Sequence, residues 1–291
     1  MVKIVKQKKL HIVGLGWLGF PLAKRMQSKG YSVSGTVQSA QKQANVASLL
    51  PNVTCDVFQL YSECNINQAR CAGGALVLNV PPGRRNFCSK TYTTAMIKLI
   101  DDAFNAGLQY LCFISTTSVF NGTLGVINNN TDLAPLSDSA KAHVIIEQHL
   151  LNTYPNMHSV VRPGGLVGPK VYESSKSANP QAEYRHPIFT LCNKQDISSG
   201  HESINLVHLD DMLNVLGKLI DKQSLGRFNV TAAEHPNKAE YYRWCAKALD
   251  LPEPGFIKNE ARPAKIIDAS QTFSELGLEL VHPSPYTMVP I

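Results

Sequence analysis

The sequence predicts an α/β protein with a Rossmann-type, doubly wound parallel sheet and a small C-terminal substrate lobe. Short apolar segments typical of strands alternate with amphipathic helical segments along the first 169 residues. A glycine-rich turn, Gly14 to Gly19, connects the first strand to the first helix. The segment 109–116 (QYLCFIST) is nearly all apolar, as expected of a strand buried on both faces.

The predicted elements follow in a regular order. The first strand, 10–13, leads into a helix in which Leu18, Leu22 and Met26 share one face and which Gly30 ends. Further strands are predicted at 31–37, 52–58, 75–80, 109–116 and 158–165, with helices at 91–106 and after 137–139. After Pro169 the pattern breaks, and one strand–helix–strand stretch follows. We therefore predict a nucleotide-binding domain (1–169 with 205–235) and a smaller substrate-binding lobe (170–204 with 236–291).

Composition excludes several classes of protein. Much of the net charge of +6 lies in the N-terminal MVKIVKQKK, and there is no basic stripe interleaved with aromatic residues, so no nucleic-acid partner is expected. The seven cysteines are scattered without a Cys-x-x-Cys pair, which predicts a reduced, cytoplasmic chain. No apolar run is long enough to span a membrane, and the glycines in the first apolar stretch argue against a signal peptide.

The glycine-rich turn fits the pattern G-x-G-x-x-G between a strand and a helix. Gly14 permits a tight turn, Gly16 lets a pyrophosphate approach the backbone, and Gly19 lets the helix pack against the strand. The helix N-terminus then faces the phosphate charge. We therefore expect residues 14–19, including Trp17 and Leu18, to bind a dinucleotide.

The end of the second strand indicates which dinucleotide is bound. An Asp or Glu there would hold a ribose 2′-hydroxyl, but the sequence is GTVQSAQKQ. Thr36, Gln38, Ser39 and Lys42 offer hydroxyl, amide and ammonium groups instead. This favours the 2′-phosphate of NADP, although no arginine is present to clamp it, and NAD remains possible.

Several segments together resemble the extended short-chain dehydrogenase/reductase superfamily, in its NAD-dependent epimerase/dehydratase branch and its YeeZ-like group of atypical members. They are ISTTSVFNG (114–122), VRPGGLVGP (161–169), INLVHLDDM (204–212) and KIIDASQTFSELGLEL (265–280). The resemblance implies that Asn79, Val80 and Pro81 wall the adenosine or ribose pocket. It also implies that the segment Arg162, Pro163 and Gly164 lies beside the nicotinamide.

In that superfamily a Ser or Thr, a Tyr and a Lys carry the chemistry. The resemblance implies that Thr116 polarises the reacting oxygen and that Lys141 lowers the tyrosine pKa. The tyrosine position is occupied by Ser137, whose hydroxyl ionises far above neutral pH. Ser137 is therefore a weak member of the candidate catalytic set, and with Asp138 it is expected to cap the following helix. Val13, where the family loop has its first glycine, is a second departure.

Two further groups have alternative interpretations. His208, Asp210 and Asp211 would suit a metal or acid/base cluster, whereas the resemblance implies that their segment supports the fold near the site; no metal site is assigned. Arg84 and Arg85 could meet a phosphate or lie in a solvated loop.

Three hypotheses about the function follow. The first is oxidoreductase or epimerase-like chemistry on a small polar or nucleotide-linked substrate, in a possible homodimer. The second is a nucleotide-binding sensor without catalysis, which the missing tyrosine favours and the retained Thr116 and Lys141 disfavour. A proton donor from the lobe, Tyr172 or Tyr184, would preserve activity. The opening also resembles β-hydroxyacid dehydrogenases, but their all-helical second half conflicts with the later strand segments.

Overall fold

The computed structural model describes residues 8–61, 67–83, 87–170, 183–257 and 265–290. The chain divides into two compact units. The first unit comprises Met1–Ser115, Leu136–Val161 and Leu216–Gly226; the second comprises Thr116–Pro135, Arg162–Val215 and Arg227–Ile291. The domain boundaries predicted from the sequence remain a prediction about which segments hold cofactor and substrate.

The described residues form the following strands and helices. The strands are β1 Lys9–Val13, β2 Ser32–Val37, β3 Thr54–Val57, β4 Ala75–Leu78, β5 Tyr110–Ile114, β6 Gly125–Ile127, β7 His158–Pro163, β8 Gly165–Pro169, β9 Tyr184–Arg185, β10 Leu206–His208, β11 Gly226–Val230 and β12 Lys265–Ile267. The helices are α1 Gly19–Ser28, α2 Ala40–Leu49, α3 Gln68–Cys71, α4 Ser89–Asn105, α5 Asp138–Thr153, α6 Ile188–Leu191, α7 Leu209–Lys222, α8 Lys238–Ala248 and α9 Ser270–Leu276.

The main sheet has seven strands in the order β11-β7-β5-β4-β1-β2-β3. β1 pairs in parallel with both β2 and β4, β2 pairs with β3, and β5 lies between β4 and β7. The chain thus winds from β1 to one edge and then returns to continue on the other side. This order confirms the predicted Rossmann-type fold and places a topological switch point, where such sheets bind ligands, between β1 and β4.

The core of the first unit explains why these segments are helices and strands. Ile12 of β1 and Leu22 and Met26 of α1 are completely buried, which confirms the predicted apolar face of α1. On the other half of the sheet Phe113 of β5 packs in one cluster with buried residues of α4 and α5. The helix α2 was not predicted, because Val46 is its only buried residue and its sequence therefore has little periodicity.

The second unit has its own small sheets and core. β8 lies between β10 and β9, and β12 pairs in parallel with β6. Its apolar cluster is built around the buried Tyr241 of α8 and Ile188 of α6. Among the residues described, no helix has both the length and the apolar character needed to cross a membrane.

Candidate functional site

The turn after β1 begins with a glycine that no other residue could replace without strain. Gly14 has φ of +103°, in the region that residues with a side chain rarely adopt. A Cβ built on Gly14 would lie 2.3 Å from the carbonyl oxygen of Asn79. The close approach of the β1 and β4 ends therefore requires glycine at this position.

The other two glycines of the motif differ from each other. A Cβ on Gly19 would lie 2.1 Å from the carbonyl oxygen of Gly14, so Gly19 allows α1 to pack on the loop. A Cβ on Gly16 would meet no atom within 4 Å, and Gly16 is exposed. The packing of the described residues thus explains two glycines and leaves the space over Gly16 open.

The N-terminus of α1 adjoins this space. The amide of Phe20 donates to the carbonyl of Gly16 across 2.9 Å, so the helical hydrogen bonds begin at the loop itself. Leu18 is the N-cap residue and has no side-chain oxygen to accept from the first amides, and the first turn carries no acidic residue. Amide groups and the positive end of the helix dipole are what a phosphate requires.

Neighbouring strands hold the loop in place. The amide of Gly14 donates to Thr36 Oγ1 across 3.2 Å, and the amide of Leu15 donates to the Thr36 carbonyl across 2.7 Å. From β4, Asn79 Nδ2 donates to the Gly14 carbonyl across 3.3 Å. The carboxyl ends of β1, β2 and β4 therefore meet at one edge of the sheet, and Thr36 acts there as a support for the loop.

The remaining predicted contacts for the cofactor line the same edge. Gln38 is exposed directly after β2, where Ser39 Oγ caps α2 by accepting from the amide of Lys42. Val80 is half-buried and its carbonyl accepts from the Tyr92 hydroxyl across 2.7 Å, while Pro81 is exposed. Trp17 is half-buried within the loop. Arg84 and Arg85 lie outside the described residues.

The position of the family tyrosine starts α5. Ser137 Oγ accepts from the amide of Ala140 across 3.2 Å, which confirms the predicted N-cap. The side chain of Lys141 is 55% exposed, and its ammonium lies 3.6 Å from the Asp138 carboxylate. Catalytic roles for Ser137 and Lys141 stay a prediction.

A buried polar contact near the end of β5 was missed by the sequence reasoning. The Ser115 hydroxyl donates to the Glu147 carboxylate across 2.5 Å, and both residues are buried. The signal was present in α5, because the buried positions 143, 146, 147 and 150 follow helical spacing and include a glutamate among apolar neighbours. A buried carboxylate requires such partners.

In the second unit the predicted site residues are held by hydrogen bonds of their own. Thr116 Oγ1 donates to Ser118 Oγ and accepts from the Ser118 amide, each across 3.1 Å, and so caps a short 3₁₀ helix. The Thr117 hydroxyl donates to the Pro163 carbonyl across 3.2 Å. A Cβ on Gly164 would lie 2.4 Å from the Asn205 carbonyl oxygen.

Arg162 is wholly buried, with its guanidinium 5.1 Å from the centre of the Phe120 ring and 3.4 Å from the Asn129 carbonyl. These contacts hold Arg162 within the second unit, and the cofactor contact of Arg162, Pro163 and Gly164 stays a prediction.

The His208–Asp211 segment has a supporting role that its hydrogen bonds explain. The Asp211 carboxylate accepts from the amides of Val281 and His282, across 2.7 and 3.0 Å, and burial raises its pKa. Burial also raises the pKa of Tyr184 to about 12, and its hydroxyl donates to the Met288 carbonyl across 2.8 Å. Both features make Tyr184 a poor proton donor; Tyr172 lies outside the described residues.

Solved structures with the same fold include three complexes with NAD. A UDP-glucuronic acid 4-epimerase from Bacillus cereus in complex with NAD superposes with a TM-score of 0.75 at 14% identity, covering 94% of each chain. The Bordetella bronchiseptica enzyme WbmG in complex with NAD and UDP gives 0.74 at 17%, covering 97% of this chain and 92% of WbmG. MoeE5 in complex with UDP-glucose and NAD gives 0.74 at 16%, over 96% of this chain and 95% of MoeE5. At these identities the likeness establishes the fold alone.

Sequence comparison establishes the family. No family model matches the chain. Protein YeeZ of Escherichia coli K12 is 30% identical over 292 aligned positions, which cover 97% of this chain and 98% of YeeZ. The chain therefore belongs to the YeeZ family, as the sequence predicted, and it has the Rossmann-type sheet and glycine loop that the resemblance to the short-chain dehydrogenase/reductases implied.

Proposed function

We propose that this protein binds NADP(H) at the glycine loop and carries out oxidoreductase or epimerase-like chemistry on a small polar or nucleotide-linked substrate. The observation that carries the cofactor assignment is the open space over Gly16. Gly14 and Gly19 are explained by contacts within the protein, whereas Gly16 has neither a positive φ nor a close neighbour among the described residues. A ligand that passes close to the backbone gives a reason for glycine there.

The charge of the site supports a phosphate-bearing ligand. The N-terminus of α1 presents amide groups without an acidic residue in its first turn. NAD is named in the three neighbouring complexes, which supports a nicotinamide nucleotide. The exposed Gln38 and the following Ser39 and Lys42, with no carboxylate, support the additional 2′-phosphate of NADP.

The chemistry would divide between the cofactor and the chain. A bound nicotinamide supplies or accepts a hydride. We propose that the Thr116 hydroxyl turns from Ser118 Oγ to polarise the reacting oxygen of the substrate, and that Lys141 contacts the nicotinamide ribose. Ser137 and Tyr184 are both poor proton donors, because a serine hydroxyl ionises far above neutral pH and the Tyr184 hydroxyl already donates to the Met288 carbonyl.

A second candidate function is a nucleotide-binding sensor without turnover. Ser137 favours it, because a serine hydroxyl is a poor acid at neutral pH; in the structure its oxygen accepts from the Ala140 amide at the start of α5. Both candidates require the nucleotide site, and turnover separates them.

The substrate class is proposed from the same neighbours. WbmG is in complex with UDP, MoeE5 is in complex with UDP-glucose, and the Bacillus cereus protein is a UDP-glucuronic acid 4-epimerase, which supports a nucleotide-linked substrate for this chain. We also propose a homodimer and a cytoplasmic location, both of which are expected from the sequence.

The test is a fluorescence titration of the protein with NADPH and with NADH. We expect saturable quenching of Trp17 emission, with tighter binding of NADPH. A Trp17→Phe variant is the control: only the emission of Trp244 should remain, the quenching assigned to Trp17 should be lost, and the emission of bound NADPH should still change. If neither nucleotide binds, in reduced or oxidised form, the proposal is wrong; if both bind and no UDP-sugar or small carbonyl compound is turned over, the sensor is the better assignment.

A further inference from the structure

Two histidines and an aspartate from distant parts of the sequence meet in the second unit. His208 ends β10, Asp210 lies in the first turn of α7, and His282 lies in the segment after α9. Asp210 Oδ2 is 3.4 Å from His208 Nδ1 and 3.6 Å from His282 Nε2. One ligand atom from each of the three side chains lies within 4.8 Å of the others.

The hydrogen bonds of His208 determine which of its nitrogens carries the lone pair. The Tyr184 hydroxyl must donate to the Met288 carbonyl, across 2.8 Å, because a carbonyl can only accept. Its oxygen therefore accepts from His208 Nε2–H, across 3.1 Å. Nδ1 is then unprotonated and directed toward Asp210, where the backbone amide of Asp210 donates to it across 3.2 Å.

This arrangement matches a histidine prepared for metal binding. Histidines that bind metals through one nitrogen commonly donate the other ring N–H to an oxygen, which fixes the tautomer and the ring orientation. Tyr184 and Met288 provide that fixed acceptor here. A bound cation would replace the Asp210 amide as the partner of the Nδ1 lone pair.

His282 is held in place independently of its ring. Both carboxylate oxygens of Asp211 accept backbone amides, one from Val281 and one from His282. The ring of His282 lies with its centroid 3.8 Å from that of His208. Asp211 thus fixes the segment that brings the third ligand to the site.

We propose that His208, Asp210 and His282 bind a divalent transition-metal ion, with Zn²⁺ as the best fit. Two imidazoles and one carboxylate form a ligand set that Zn²⁺ accepts. Bonds of about 2.0–2.2 Å in a tetrahedron put ligand atoms about 3.3–3.6 Å apart, and both distances from Asp210 Oδ2 fall in this range.

The ion would connect the start of α7 to the C-terminal segment. His208 and His282 are shielded, with side chains 7% and 20% exposed, whereas that of Asp210 is 50% exposed. Solvent therefore reaches one side, where water can complete the coordination. Since these groups come from positions over 70 residues apart, binding should stabilise the second unit.

The experiment is a titration of untagged, chelator-treated protein with Zn²⁺ by calorimetry, and with Co²⁺ by visible absorption. We expect one equivalent of Zn²⁺, a rise in Tm on binding, and a Co²⁺ spectrum that Zn²⁺ abolishes. His282→Gln and Asp210→Asn should each weaken binding at least tenfold. Asp210→Asn keeps the test valid if the histidine variant does not fold, because that side chain is half-exposed.

His149→Gln is the matched control, because His149 also lies beside an aspartate, 2.7 Å from Asp101, but without a third ligand from His, Cys, Asp or Glu among the described residues. This variant should bind Zn²⁺ as the unmodified protein does. The proposal is overturned by an absence of saturable binding near one equivalent, or by folded Asp210→Asn and His282→Gln proteins that keep full affinity.

Discussion

The Asn79 carbonyl oxygen lies where a side chain on Gly14 would have to be, 2.3 Å from the ideal Cβ position. In return, the Asn79 amide donates to the Val13 carbonyl across 3.0 Å, and Asn79 Nδ2 donates to the Gly14 carbonyl. The ends of β1 and β4 are thereby joined by backbone and side chain at the switch point of the sheet. The loop that would carry the nucleotide is rigid because of this contact.

Gly14→Ala should destabilise the protein by more than Gly30→Ala does. Both glycines have positive φ, but a Cβ on Gly30 meets nothing within 4 Å, so alanine there suffers only the conformational penalty of about 1 kcal/mol. At Gly14 the clash with Asn79 adds to it, and a total above about 2 kcal/mol is expected. Urea unfolding followed by circular dichroism measures the free energy of unfolding of both variants. Equal losses of stability would contradict the role given to Asn79.

Ser137→Ala should cost about 0.5–2 kcal/mol of stability because α5 loses its N-cap. Ser137→Asp should keep the stability, since Asp caps a helix as well as Ser does. The aspartate variant therefore tests chemistry apart from folding. A folded Ser137→Asp protein that loses turnover would show that the hydroxyl does more than cap the helix.

The Ser115–Glu147 contact should appear as a coupling energy. A hydrogen bond to a charged group contributes about 1.5–3 kcal/mol, and both partners are buried. A double-mutant cycle with Ser115→Ala and Glu147→Leu, which removes the acceptor, should therefore give a non-additive term of that order. Unfolding free energies that add within about 0.5 kcal/mol would show that the two groups do not interact.

Stability should fall as the pH is lowered from about 6.5 to 4. Burial lowers the pKa of His11, His143 and His186 to about 4 in the folded protein. Between that value and the ordinary pKa of about 6.5 the unfolded chain binds more protons, so the free energy of unfolding rises with pH in this window. Each such histidine contributes a slope of up to about 1.4 kcal/mol per pH unit.

His143→Leu should remove one part of that slope, because His143 packs against Phe113 and its Nδ1 has no hydrogen-bond partner in the part of the chain that the structure describes. Unfolding measured in urea at intervals from pH 4 to 7 compares the variant with the unmodified protein. The partly exposed His149 provides the control variant, His149→Gln. An unchanged slope in His143→Leu would contradict the assignment of His143 as a neutral buried histidine.

The sheet could be predicted because its signals are local. The strand 109–116 and the helix face of Leu18, Leu22 and Met26 carry their periodicity within a few residues, and β5 and α1 appear there. The short β6 was not predicted, because three residues, two of them exposed, carry no pattern. The hydrogen bonds that connect Tyr184 to His208 and Met288 could not be predicted either, since they depend on tertiary contacts.

Part of the candidate site could be predicted from the sequence for the same reason. The motif Gly14, Gly16 and Gly19 identifies the loop, but the different reasons for the three glycines appear only when their neighbours are known. Thr36 was expected to contact the cofactor. In the structure its hydroxyl oxygen accepts a hydrogen bond from the amide of Gly14. The contacts of Glu147 and His282 were not predicted, because their partners lie 32 residues or more away in sequence.

The most direct test of the central claim is NADPH binding to Gly16→Asp, with Tm measured on the same samples. The variant should fold as the unmodified protein does, because a Cβ at position 16 meets no atom of the described residues within 4 Å. It should lose NADPH affinity by at least tenfold, because a carboxylate would face the phosphates. Gly16→Asn, of the same shape without the charge, separates repulsion from bulk and should lose less. A folded Gly16→Asp protein that binds NADPH with unchanged affinity would show that the space over Gly16 is not a cofactor site.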